Sequence, residues 1–210
     1  MQIPSTVNSV GEYAFDGCTS LLKIEIPMKI MSLGNYMFSG CISLAQISIN
    51  ATTMSFGLYV FSGCKSLKKL VIPNSTTAIT NSMFSSCFSL EEINIPPKVT
   101  SIGNYAFHEC RSLKKLILPS SIKTIGDFAF AGCKSLTEIT IPSTNSIGIF
   151  AFFRCELVEK IALPSKLTFI GDSAFKECKS LKRLSVPETI KLTNRLEIPK
   201  QVEIRKYSLN

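Results

Sequence analysis

The segment Pro96-Pro97-Lys98-Val99-Thr100-Ser101-Ile102-Gly103-Asn104-Tyr105-Ala106-Phe107-His108-Glu109-Cys110-Arg111-Ser112-Leu113-Lys114-Lys115-Leu116-Ile117-Leu118-Pro119 is one copy of a unit that recurs along the chain. Its cysteine has counterparts at 18, 41, 64, 87, 133, 155 and 178, spaced by 23 residues except for one gap of 22. A phenylalanine precedes each by three: Phe15, Phe38, Phe61, Phe84, Phe107, Phe130, Phe152 and Phe175. Eight units written P-x-x-V/I-x-x-I-G-x-x-A-F-x-G-C-x-S-L-x-x-I-x-I-P run from Pro4 to Pro187, which makes the chain a tandem array. The departures are local: one residue is missing between Pro142 and Gly148, Asn50 replaces a proline, Thr80 a glycine and Leu157 a serine.

In Leu113 to Leu118 the inward residues alternate at Leu116 and Leu118, the period of a short strand with one buried face. One strand per unit, always in the same direction, builds a parallel sheet, and the following proline ends the ladder because it has no N–H. A second extended piece is expected at Thr100-Ser101-Ile102. Gly103 then supplies a positive φ or a tight approach, and A-F-x-G-C closes one helical or 3₁₀ turn. Such a unit cannot bury its apolar residues alone, so stability comes from stacking at about 4.8 Å per rung. The array divides into residues 1–190, eight repeats forming one continuous solenoid, and 191–210, a truncated repeat with Leu196-Glu197-Ile198-Pro199 and a charged cap carrying Arg195, Lys200, Arg205 and Lys206.

The chain has 210 residues, 23 Lys and Arg against 15 Asp and Glu, and a formal charge of +8. Twelve of the 23 basic residues fall in three columns around the strand: Lys65, Arg111, Lys134, Lys179; Lys68, Lys114, Lys182; and Lys23, Lys69, Lys115, Lys160, Arg183. Glu91, Glu92, Glu138, Glu156 and Glu159 interrupt them, so stacking yields a mixed ridge: a solvated face on one reading, a polyanion site for glycan or nucleic acid on another. No apolar run approaches the roughly 18 residues that span a bilayer, which argues against membrane insertion. Met1-Gln2-Ile3-Pro4 enters the repeat at once and leaves no room for a signal peptide. The expectation is an intracellular protein or, better suited to a core that starts without a polar cap, a piece of a longer chain.

Cysteines placed once per rung at a core site are expected to be reduced, compact hydrophobes rather than disulfides, and without C-x₂₋₄-C spacing they form no zinc site. His108 occupies a variable column (Asp16, Ser39, Ser62, Ser85, Ala131, Phe153, Lys176) expected at the surface, which leaves a His108/Cys110 dyad without an exposed thiolate. Ser20, Ser66, Ser112 and Ser135 recur as turn formers. The phosphate-binding, dinucleotide-binding and zinc-protease motifs lack their minimum parts, so no enzyme activity, cofactor or small-molecule substrate is expected. Asn50-Ala51-Thr52 and Asn74-Ser75-Thr76 fit the N-glycosylation pattern.

L-x-x-I-x-I together with A-F-x-x-C and I-P, over residues 4 to 187, resembles the BspA-like subclass of leucine-rich repeats found in bacterial and protozoan surface proteins. The resemblance implies a leucine-rich repeat solenoid. In it a right-handed coil carries one parallel β-sheet on the concave face, with short 3₁₀ or helical turns and short extended segments on the convex side. It also implies a non-catalytic adhesion module at the cell surface or secreted, part of a longer chain, binding a host or neighbouring-cell protein. An intracellular, cytoplasmic scaffold or regulatory subunit is the alternative. The partner-binding residues expected on the concave face are Lys23, Glu25, Lys69, Glu92, Lys115, Ile117, Glu138, Lys160 and Arg183. From Lys69 to Lys160 the first outward position alternates Lys, Glu, Lys, Glu, Lys, a charge ladder between rungs. The column Tyr13, Tyr36, Tyr59, Tyr105, Phe128 and Phe150 is expected to stack along the convex side, with adhesive anchors as the alternative role.

Overall fold

The computed structural model describes residues 2–51 and 54–208. Each rung after the first contributes two short strands, numbered in chain order. On the front lie β1 (Lys23–Ile26), β3 (Gln46–Ile49), β5 (Lys69–Leu70), β7 (Glu92–Ile93), β9 (Lys115–Ile117), β11 (Glu138–Thr140), β13 (Lys160–Ala162) and β15 (Arg183–Pro187). On the back lie β2 (Ser32–Leu33), β4 (Ser55–Phe56), β6 (Ala78–Ile79), β8 (Ser101–Ile102), β10 (Thr124–Ile125), β12 (Ser146–Ile147) and β14 (Phe169–Ile170). All these pairs are parallel and one repeat apart, as in Lys115↔Glu138 and Thr124↔Ser146. The extended piece expected at Thr100–Ile102 is β8, in the middle of a five-stranded back sheet running from β6 to β14. The front ladder is interrupted: β1–β3, β5–β7 and β9–β11 pair, β13 pairs with β15, and the described residues form no strand pairing between β3 and β5, β7 and β9, or β11 and β13.

The corner between back and front departs from the single helical or 3₁₀ turn expected there. It is a run of hydrogen-bonded turns, in which His108 N–H donates to Tyr105 O (3.1 Å), Cys110 N–H to Phe107 O (3.1 Å) and Leu113 N–H to Cys110 O (3.2 Å). A helix cannot form because Tyr105 and Glu109 have φ of 57° and 59°, in the left-handed region. These inversions also turn the intervening N–H groups toward the next rung. Tyr105 donates to Asp127 O, Phe107 to Ala129 O and Glu109 to Ala131 O, at 2.7–2.8 Å, which makes a third inter-rung ladder.

Of the two roles open to Gly103, the structure selects close approach. The positive φ falls two residues later, on the aromatic. A Cβ on Gly103 would stand 2.5 Å from Asn81 Oδ1 and 2.6 Å from Asn81 N. That space admits a further ladder, built by side chains, in which Asn81 Oδ1 accepts Asn104 N–H, Asn104 Oδ1 accepts Asp127 N–H and Asp127 Oδ1 accepts Ile149 N–H, at 2.8–2.9 Å.

Inside, the phenylalanines from Phe15 to Phe175 stack with ring centroids 5.2–5.8 Å apart and planes within 16°. Ile and Leu from both sheets and Cys from the corners close around them as one core. At the first rung Phe15 is half-buried and Cys18 exposed. Beyond Pro187 the chain makes a 3₁₀ turn, Asn194–Leu196, and a further front strand, β16 (Glu203–Tyr207), parallel to β15. Lys206 there takes the register position of buried Val186, and Tyr207 Oη donates to Leu163 O at 2.5 Å. No helix among the described residues is long and apolar enough to cross a membrane.

Candidate partner-binding face

Because side chains alternate along a strand, the front residues flanking the buried pair point outward. Leu116 and Leu118 are buried, whereas Lys115 is exposed and Ile117 keeps 54% of its surface. The charge ladder is in register, Lys69 beside Glu92 and Lys115 beside Glu138. It closes as an ion pair at Lys115 Nζ–Glu138 Oε1, 2.9 Å. Among the described residues Lys69 and Glu92 have no opposite charge within 4.0 Å. Lys160 lies beside Arg183, whose Nε reaches Glu203 Oε2 at 3.3 Å. Glu25, at the other end, accepts from Asn50 Nδ2 at 2.7 Å. Lys23 opens the same column on β1.

A depression of about 430 Å³ lies over β5, β7 and β9, lined by Lys69, Val71, Glu92, Ile93, Asn94, Lys114, Lys115 and Ile117, with Leu70 and Glu91. It spans one of the three gaps in the front ladder, that between β7 and β9. Ile93, an inward residue, is only partly buried there.

Part of the basic ridge is paired with acids. Arg111 contacts Glu109 (2.6 Å), Lys134 and Lys179 contact Glu156 (3.7 and 3.3 Å) and Lys182 contacts Glu159 (2.8 Å). Sequence reasoning passed over Phe88, which holds Arg111 Cζ 4.4 Å and Lys65 Nζ 5.5 Å from its ring centroid. The signal was available as an aromatic in the column that also carries Lys65, Arg111, Lys134 and Lys179. It likewise missed that Glu203 would meet Arg183, because residues 191–210 break the repeat.

The aromatic column stacks, with ring centroids 4.6–4.9 Å apart from Tyr13 to Tyr59 and from Tyr105 to Phe150. Ser82 interrupts it. His108, expected at the surface, is half-buried, with its ring edge-on to Tyr105 at 5.6 Å, and burial lowers its pKa against the opposing effect of Glu109. Cys110 is buried and directs its thiol at Phe84 O, 3.2 Å away, rather than at His108. Burial, with weaker like-charge repulsion, raises the Cys110 pKa well above its ordinary value, so the pair has no thiolate to use as a nucleophile. Asn74 is exposed, with Thr76 of its acceptor pattern buried, and Thr52 of the other lies outside the described residues. No group of three His, Cys, Asp or Glu among the described residues could hold a metal ion.

The sequence pattern described as BspA type leucine rich repeat region matches residues 1–114 and 100–198, in six copies. Among solved structures, a leucine rich repeat protein of Treponema pallidum is 28% identical over 86% of this chain and 77% of that one, with a TM-score of 0.68. The pneumococcal vaccine antigen PcpA is 18% identical over 100% of this chain and 68% of that one, with a TM-score of 0.57. A leucine-rich repeat protein of Eubacterium ventriosum is 19% identical over 99% and 72%, with a TM-score of 0.53. No curated protein matches the chain significantly.

Proposed function

The chain belongs to the BspA type leucine-rich repeat family, and on that premise we propose that it is a non-catalytic adhesion module, displayed at the cell surface, that holds a protein partner on its front strand face. Repeat folds of this kind commonly serve protein interaction. The observation that carries the reading is the division of the front strands. The inward column is Ile or Leu in every rung, whereas the outward column runs Lys23, Gln46, Lys69, Glu92, Lys115, Glu138, Lys160, Arg183. A surface that varies on a constant core can encode recognition, and its breadth suits a protein more than a small molecule. Lys23, Glu25, Lys69, Glu92, Lys115, Ile117, Glu138, Lys160 and Arg183 are the contact residues of this proposal. Surface placement draws on the family resemblance.

The test is an array of matrix and cell-surface proteins probed with the unaltered protein, a Lys115→Glu/Lys160→Glu front variant and a Lys98→Glu/Lys123→Glu variant altered away from the front strands. The reading expects the front variant alone to lose the bound partner. Retention by the front variant, with loss by the other, moves the site off this face.

A further inference from the structure

We infer that the gap in the aromatic column over Ser82 is a binding slot for one planar aromatic ring with a hydrogen-bonding edge, supplied as a Tyr or Trp side chain of a protein partner. The slot lies on the corner, away from the front strands, so this contact stands independently of the one proposed above.

Tyr59, Ser82 and Tyr105 occupy one column in successive rungs with φ of 57°, 54° and 57°. The Ser82 side chain therefore leaves the backbone in the direction of the two rings and stops short of them. Tyr59 stacks on Tyr36 at 4.6 Å and Tyr105 on Phe128 at 4.8 Å, so each has its other face turned to the gap. Two rung steps of about 4.8 Å set the two rings roughly 10 Å apart, the room that one intervening ring takes elsewhere in the column. Tyr105 keeps 40% of its surface, more than Phe128, which has a ring on each side; Tyr59 is half-buried.

The floor of the slot carries an unused polar group. Ser82 is 4% exposed, and its hydroxyl has no hydrogen-bond partner among the described residues. The column lacks a ring again at Ser173, and there the chain supplies the partner itself: Ser173 Oγ donates to Glu197 Oε1 at 2.7 Å. A ring entering the Ser82 slot from solvent leads with its edge. A phenol O–H or an indole N–H then reaches the Ser82 hydroxyl, whereas a phenyl edge leaves it unpaired.

The surroundings favour a neutral occupant. The positions before and three after the column are Leu58, Asn81 and Asn104, and Ser62, Ser85 and His108, the latter three each tied by a turn to Tyr59, Ser82 and Tyr105. None is Lys or Arg, and burial lowers the His108 pKa. A nucleotide could stack its base here but would bring phosphate charge to a rim without a cation, which leaves an uncharged aromatic side chain.

The experiment titrates the 210-residue protein with N-acetyl-tyrosinamide, N-acetyl-tryptophanamide and N-acetyl-phenylalaninamide, and with adenosine monophosphate in parallel, by ligand-observed NMR. The indole probe can also be followed by fluorescence, since the chain contains no tryptophan. The tyrosine and tryptophan derivatives should bind more tightly than the phenylalanine derivative. Ser82→Tyr, which completes the column in the backbone conformation of Tyr59 and Tyr105, should weaken both about tenfold or more while the melting temperature holds or rises. Ser82→Ala keeps the slot and removes the hydroxyl. It should weaken those two about threefold to tenfold and leave the phenylalanine derivative unchanged. Lys115→Glu/Lys160→Glu should leave all probe binding unchanged, so failure of the slot and failure of the front-face reading give separate results. Probe binding that survives Ser82→Tyr or is lost in the front variant overturns the inference. So does no binding by any amide, equal binding of the phenylalanine derivative, or adenosine monophosphate binding above the amides.

Discussion

The Cys110 Sγ lies 3.2 Å from the carbonyl oxygen of Phe84 in the preceding rung, and Cys41, Cys64, Cys87, Cys133, Cys155 and Cys178 repeat the contact at 3.0–3.3 Å. The same Phe84 carbonyl accepts Cys87 N–H at 3.1 Å within its own rung, so the thiol takes the second lone pair. The recurring cysteine is therefore both core filler and inter-rung donor. Cys110→Ala is expected to cost about 1–2 kcal/mol in urea unfolding, from the cavity and the orphaned acceptor together. Cys110→Ser, which keeps a donor of similar size, should cost less, and equal losses would show that only bulk matters.

Burial, the main cause, raises the thiol pKa from 9.0 to about 11 at Cys41 and about 12 at Cys178. A thiol whose pKa is raised on folding stabilises the fold fully below about pH 9 and loses that contribution as pH rises through the folded value. Alkaline titration of the melting temperature should therefore fall above pH 9, less steeply in Cys41→Ser than in the unaltered protein. Under native conditions at neutral pH a thiol reagent should label Cys18, which is exposed, and reach the other seven only on unfolding.

Gly103→Ala is expected to destabilise by about 2–3 kcal/mol, the upper part of the overpacking range, because its Cβ meets Asn81 backbone as well as side chain. Asn81→Ala should not rescue it. A restored melting temperature in the double variant would place the clash in the side chain alone.

Lys115→Glu removes an exposed pair, with both partners about half open to water, and should change stability by less than about 1 kcal/mol. Its expected effect is on partner binding. Circular dichroism and unfolding midpoints that stay constant while binding falls separate the two; a large stability loss would place Lys115 in the structural scaffold instead.

Lys206 sits on the terminal strand at the register position of Val186, where a further rung would have to bury its ammonium. Lys206→Val should therefore promote concentration-dependent self-association, measurable by sedimentation. A variant that stays as monodisperse as the parent would show that Lys206 does not keep this strand from pairing.

Much of this architecture was legible from the spacing of Phe and Cys alone. A fixed period over eight units admits few arrangements other than stacked rungs, and alternation at Leu116 and Leu118 assigned Lys115 and Ile117 to the outside because a strand has a period of two. The stacked aromatic column and β8 followed from the same counting. The corner did not, since residue type favours glycine for positive φ, whereas the fold puts that strain on Tyr105 and uses Gly103 for clearance.

What the amino-acid sequence by itself determined is thus the repeat, its family and which columns face inward, all consequences of periodicity along one chain. Only the tertiary structure decided which charges of the ladder meet, that the thiols donate to Phe carbonyls, and that the front strands pair in four separate groups with a depression over β5, β7 and β9. The physical reason is that periodicity sets a residue's column. Its partner depends on rotamers, the sign of φ and ångström-scale contacts with the next rung, which no single repeat contains.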